Sequence, residues 1–321
     1  MEKKIIKWIL VGIPLLLVVA TAFIVGSSYV EHKELIEQEK EECPAPGTLV
    51  DINDDGDKLH VYGKGKGETT LVFMSGFGTS SPVYDFKVLY NKLSNDYRIA
   101  VVERAGYGWS DISSSPRDID TVLEETRAAL ELSGEKPPYV LFPHSMAGLE
   151  AIYWGNNFPK EVETIVGLDP LVPDYQKQTE EETSFSLVID LLMSTGLVRN
   201  QPEVFNENFP AMKKGHLTEE EAEIARTIFY RRVQTENMKE EVDSLQDNAQ
   251  LVSKQGKPDL PFHAFISGEN EEEYWSKSLT SYAKETGGEY FILDAGHYIH
   301  LDKPELIAEK SRELIEKSIE D

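Results

Sequence analysis

Residues 138–158 read "PYVLFPHSMAGLEAIYWGNNF". The stretch opens as a short apolar strand over 139–142 and closes as a helix from Gly148 onward. Between them stands His144-Ser145, a polar pair suited neither to a strand centre nor to a helix core. A sharp strand-to-helix turn resolves the conflict, because it lifts Ser145 above the sheet edge. Ala147 and Gly148 are small enough to let strand and helix approach closely. The first N–H groups of the helix then point at whatever binds Ser145. The structural alternative is a serine that merely caps the helix.

The same pattern recurs on both sides of this stretch. "TTLVFMSGFG" and "YRIAVVERAGYGWSD" before it are apolar runs that enter glycine-rich loops, and "VETIVGLDP", "LPFHAFISG" and "EYFILDAGH" follow it. "TLVDI" and "KLHVYG" flank "NDDGD" and read as a hairpin. Helical patterns lie between the strands, at 83–94, in "DTVLEETRAALELSG" and in the closing "PELIAEKSRELIEKSI". Strands alternating with helices predict an α/β fold: a mostly parallel sheet of about eight strands, covered on both faces. Functional residues in such sheets sit beyond the carboxyl ends of the strands. Residues 172–257 break the alternation. They carry helical patterns such as "FSLVIDLLMSTGL" and "TEEEAEIARTIFYRRV" and predict a helical lid inserted into the core 47–171 and 258–321.

The formal net charge of −25 over 321 residues argues against nucleic acid, whose phosphates need Lys and Arg, so no nucleic-acid partner is expected. The chain has one cysteine, Cys43, which rules out an intrachain disulfide and a cysteine-based zinc site.

Residues 8–30 carry no charge. A helix of that length crosses a hydrocarbon core of about 30 Å. Lys3, Lys4 and Lys7 precede it and Glu31 and Glu34 follow, so the amino terminus should be cytoplasmic and the folded domain extracellular. Trp8 and Tyr29 fall where interfacial aromatics belong. A cleaved signal peptide is the competing reading, ending near Ala20-Thr21-Ala22, but Phe23, Ile24 and Val25 continue the apolar run. The expectation is a single-pass anchor in the cell membrane over residues 1–30, followed by a polar stalk over 31–46.

With these pieces in order, the chain from about Thr48 onward resembles the α/β-hydrolase-fold serine hydrolases, in particular the bacterial esterase group. "SGFGTSS", "ERAGYGWSD", the turn at Ser145 and the late "AGHYIH" carry the resemblance. The elbow departs from the family's G-x-S-x-G, with Pro143 and Ala147 at the glycine positions. The resemblance implies Ser145 as nucleophile and His297 as base, with His300 in a packing role. It implies an oxyanion hole from the backbone N–H groups of Phe77 and Met146. For the acid it offers two places: Asp169, a lone carboxylate at a strand end, and Glu271, inside the acidic run "ENEEE". Asp169 is preferred because a buried carboxylate orients histidine better than a solvated one. Glu103 is expected to bond Arg104 or the neighbouring loops.

Epoxide hydrolases and haloalkane dehalogenases of this fold carry Asp at the nucleophile position, and Ser145 argues against both. The implied activity is serine hydrolysis of carboxylic esters or related acyl bonds through an acyl-enzyme, with no metal and no cofactor. An acyltransferase using the same site and a non-catalytic binding protein remain as alternatives. Leu191, Leu192 and Met193 are expected to contact the substrate, a small, uncharged, apolar acyl compound.

Overall fold

A computed structural model describes residues 2–53, 56–176, 187–270 and 273–320, and the side chains from residue 11 onward outside 187 and 273. Eight strands form one sheet: β1 (Thr48–Asp51), β2 (Lys58–Lys64), β3 (Thr70–Met74), β4 (Arg98–Glu103), β5 (Tyr139–Ser145), β6 (Val162–Pro170), β7 (Phe262–Ser267) and β8 (Tyr290–Leu293). Their order is β1-β2-β4-β3-β5-β6-β7-β8. β2 runs antiparallel to β1 and β4, and every other pair is parallel.

The middles of the central strands are apolar on both faces because both faces are covered. In β3, Val72 and Met74 join one buried cluster, with Leu141, Trp154 and Phe262. Leu71 and Phe73 join the other, with Val140, Phe142 and Phe265. The first cluster draws on helices Ile119–Leu132, Ala147–Asn157 and Glu273–Glu285, and the second on Lys87–Leu93 and Pro304–Glu320. Pro143 is accommodated near the carboxyl end of β5, opposite Met74. The helical pattern at 83–94 resolves into two helices, Pro82–Asp85 and Lys87–Leu93, which meet at Phe86.

Between β6 and β7 the described residues form helices only, among them Leu187–Ser194, Pro202–Asn208, Glu219–Arg232, Glu236–Asp243 and Leu245–Gln255, with a 3₁₀ turn at Leu197–Asn200. Helix Glu219–Arg232 begins with a capping box, in which the Thr218 side chain and Glu221 satisfy each other's backbone N–H groups.

The first helix runs from Glu2 to Glu42, and its part from Val11 is apolar and long enough to cross a membrane. Residues 31–46 depart from the expected stalk. No helix breaker stands between Val30 and Cys43, so the helix continues to Glu42 and stops before Pro44. This part is docked: Arg199 pairs with Glu39 at 2.5 Å, and the Trp109 indole donates to the Cys43 carbonyl at 3.0 Å.

Candidate active site

β5 ends at Ser145, and helix Ala147–Asn157 starts two residues later. Ser145 has φ = 52°, in the left-handed region, a conformation costing about 1–3 kcal/mol for a residue with a side chain. Packing around the turn holds it there. The Leu171 N–H donates to the Ser145 carbonyl at 2.7 Å, which ties the end of β6 to the turn. The "SGFG" loop passes so close that a side-chain carbon at Gly76 would fall 2.7 Å from the Ser145 Cβ. Only glycine allows that approach.

Asp169, near the end of β6, is fully buried. Its Oδ1 accepts from the Ser267 N–H at 2.9 Å and the Trp275 indole at 2.8 Å. Its Oδ2 accepts from the Ser267 hydroxyl at 2.8 Å and from His297 Nδ1 at 2.6 Å. Four donors make this a carboxylate with its charge compensated and its geometry locked. Since Nδ1 donates to Asp169, the Nε2 lone pair of a neutral His297 is free to take a proton. The His297 side chain is 39 % exposed, whereas Asp169 is sealed. His144 packs on the other side of His297, 4.7 Å between ring centroids, and donates through Nε2 to the His297 carbonyl at 3.2 Å. Burial, reinforced by His297 and His300, lowers the His144 pKa well below the usual histidine range, so it stays neutral.

Ser145 and His297 line one pocket of about 300 Å³. Phe77, Met146, Leu171, Tyr175, Gln176, Val242, Leu245, Asn270 and Trp275 complete its described wall. The structure thus brings together Ser145, His297, Phe77 and Met146, with Asp169 directly behind His297. Leu191, Leu192 and Met193 do not line this pocket. Met193 turns inward to the cluster around Val198 and Phe205, and Leu191 is 54 % exposed. Glu271 lies outside the described residues. Among the described residues, no group of three His, Cys, Asp or Glu side chains is placed to hold a metal ion.

A family model for the alpha/beta hydrolase fold matches residues 69–304. The chain belongs to the α/β hydrolase fold family. It is 34 % identical to YbdG, an uncharacterized protein of Bacillus subtilis, over 98 % of both chains. Among solved structures it is similar to a putative lipase of Acinetobacter baumannii, with TM-score 0.62, 15 % identity, and coverage of 89 % of this chain and 96 % of that one. It is likewise similar to a putative epoxide hydrolase of Pseudomonas aeruginosa, with TM-score 0.63, 17 % identity, and coverage of 85 % and 96 %. At such identities the two structures speak for the fold alone.

Within this hydrolase fold, a buried ionic network underlies the "SGFG" loop. Arg104 Nη1 donates to the Ser75 carbonyl at 2.8 Å and reaches Glu150 of the elbow helix at 3.5 Å. Its Nε and Nη2 bind Glu241 of helix Glu236–Asp243, both at 3.1 Å, and Tyr107 donates to the same carboxylate at 2.7 Å. One guanidinium therefore joins the "SGFG" loop, the elbow helix and the insertion. Burial raises the Glu150 carboxyl to about 7, against the pull of Arg104. Glu103 does not pair with Arg104. Its carboxylate accepts from His60 Nδ1 at 2.9 Å and from the Trp109 N–H at 2.7 Å, which clamps the loop after β4. His300 is buried and donates to Asp85 at 3.0 Å.

Sequence reading missed Ser267 and Trp275, which hold Asp169, and Tyr175, Val242 and Leu245 in the pocket wall. "FISG" placed Ser267 at a strand end, but nothing local to Trp275, 106 positions from Asp169, signals their hydrogen bond.

Proposed function

We propose that this chain is a membrane-anchored serine hydrolase that cleaves carboxylic esters or related acyl bonds on the extracellular side. The observation that carries the reading is Ser145 in a left-handed strand-to-helix turn, sharing a pocket with a histidine whose far nitrogen is held by a buried carboxylate. In this mechanism, Ser145 Oγ attacks the acyl carbon as His297 Nε2 takes its proton. The N–H groups of Met146 and Phe77 receive the oxyanion, and His297 then protonates the leaving alkoxide. Water, activated by the same nitrogen, releases the acyl group and restores Ser145. Tyr175, Val242, Leu245 and Trp275 favour an apolar acyl group, and the net charge of −25 disfavours anions. Lys3, Lys4 and Lys7 favour a cytoplasmic amino terminus.

A fluorophosphonate probe tests the chemistry. The chain should be labelled, and Ser145→Ala should lose both labelling and ester turnover while keeping its thermal transition. Labelling retained by Ser145→Ala would sink the assignment.

A further inference from the structure

Helix Leu187–Ser194, "LVIDLLMS", carries one charge, Asp190, and that charge is neutralised by Lys239 at 2.8 Å. Met193 is buried, which defines the inner side of the helix. Val188 and Leu191, three residues apart and so on one face, are 66 % and 54 % exposed. With Ile189, 45 % exposed, they form an apolar patch on a strongly acidic protein, and such a patch suits an apolar neighbour.

The position of the helix says which. Four residues after its buried Met193 comes the turn Leu197–Asn200, which docks on the first helix of the chain. Gly196 lies against His32 so tightly that a side-chain carbon there would fall 2.5 Å from the His32 Cβ. Arg199 donates through Nε to His32 Nδ1 at 2.8 Å and holds Glu39 with both Nη atoms. His32 stands two residues beyond Val30, the last residue of the uncharged run, a rise of only about 3 Å. The amino-terminal helix therefore pins the start of this turn at the level where its apolar segment ends. The carboxyl end of Leu187–Ser194, which stops just before Thr195 and two residues before Gly196, is thereby held near the same level.

The helix is also close to the site. Lys239, which holds Asp190, lies on helix Glu236–Asp243, and Val242 of that helix lines the pocket with Ser145. One helix, Glu236–Asp243, thus touches both Leu187–Ser194 and the pocket.

We propose that helix Leu187–Ser194 rests in the bilayer interface, apolar face down, and that the substrate of Ser145 is an acyl ester resident in that bilayer. The inference rests on the anchored-hydrolase reading and deepens it: the lipid surface is both the docking partner and the source of substrate. The clamp of Arg199 on His32 and Glu39 sets the height of the helix over the membrane.

The test uses the full chain, with Cys43→Ser, reconstituted in phosphatidylcholine vesicles containing lipids spin-labelled at shallow or deep positions. Single cysteines carrying an environment-sensitive fluorophore are placed at 188 and 191, at Val19 within the uncharged run, and at Leu132, an exposed apolar residue at the end of helix Ile119–Leu132. The expected result is strong quenching at 188 and 191 by shallow labels, quenching at 19 by deep labels, and none at 132. Quenching at 188 and 191 no greater than at 132, with 19 quenched, overturns the proposal while leaving the anchor standing. Absence of quenching at 19 removes the anchor and the proposal together.

Fluorophosphonate labelling of Ser145 is read separately, so failure of the chemistry is distinguishable from failure of docking. In the same vesicles, Val188→Asp should lower turnover of a vesicle-borne diacylglycerol about tenfold and leave a soluble short-chain ester unaffected. Equal loss on both substrates, or on neither, overturns the substrate assignment.

Discussion

Asp169–His297 and Asp85–His300 are the same chemical pair built twice, on either side of one neutral histidine. His144 lies 4.7 Å from the His297 ring and 4.9 Å from the His300 ring. Each pair places a buried carboxylate on a histidine nitrogen, at 2.6 Å for Asp169 and 3.0 Å for Asp85. They differ in what the second ring nitrogen meets. His297 opens on the pocket with Ser145, whereas His300 is sealed and its Nδ1 has no hydrogen-bond partner among the described residues. The carboxylates differ as well: Asp169 has four donors from three chain segments, which fix it before any substrate arrives. A carboxylate–histidine pair becomes a proton-transfer device only where its far nitrogen meets a nucleophile and a substrate. Elsewhere it is a buried polar contact that holds a loop.

The comparison can be broken most directly at the carboxylates. Asp169→Asn should lower ester turnover by about 10⁴-fold, because the amide favours the wrong histidine tautomer. A loss below tenfold would show that His297 does not work through Asp169. Asp85→Ala should leave turnover per folded molecule within threefold and cost about 1–3 kcal/mol of stability, since it strands His300 Nε2 in the interior. Chemical denaturation alongside steady-state rates separates the two. A large drop in rate at constant stability would give the sealed pair a catalytic part.

A third variant sharpens the contrast between the pocket and its support. Glu241→Gln weakens the grip on Arg104, and through Ser75 it loosens the loop that carries Phe77. It should reduce kcat about tenfold with a smaller change in KM, a fraction of the loss from deleting an oxyanion donor outright. A change in KM alone would place Glu241 in the pocket wall rather than behind the loop that carries Phe77.

The smallest effect is on pH. His32 and His263 are lowered to about 4 chiefly by burial, and His144 is lowered well below its usual range. Their folded pKa values lie below the unfolded value near 6.5, so the unfolded chain takes up protons first as pH falls. These rings should therefore remove stability as pH falls from about 6.5 toward 4, while Glu150, its carboxyl raised to about 7, acts in the opposite direction between about pH 7 and 4.5 and offsets part of the loss. Denaturant midpoints at pH 7.5, 6 and 5 measure the slope. A flat profile in Glu150→Gln, which removes the opposing carboxyl, would mean that these rings are solvated or paired when protonated.

The strands and the elbow were legible because their signals are local. An apolar run followed by small residues identifies a buried strand entering a tight loop, whatever lies elsewhere in the chain. Ser145, His297 and Asp169 each close or follow such a run. The wall of the pocket was not legible. "FSLVIDLLMSTGL" looks like a substrate-facing segment, because an apolar helix face has the same pattern whether it covers a pocket, a core or a membrane. Residues 31–46 are illegible for a related reason: polar composition suits a stalk and a docked helix equally, and only Arg199, 160 residues from Glu39, decides between them.

By itself the sequence determined the alternation of strands and helices, the uncharged amino-terminal run and the placement of Ser145 at a turn, since periodicity and chain reach act over a few residues. Tertiary structure decided which carboxylate meets His297, which histidine opens on the pocket and which apolar face of the insertion stays exposed. Those outcomes depend on burial and on hydrogen bonds between segments roughly a hundred positions apart, such as Asp169 to Ser267 and Trp275. No local pattern encodes a contact whose free energy exists only once the sheet has brought its partners together.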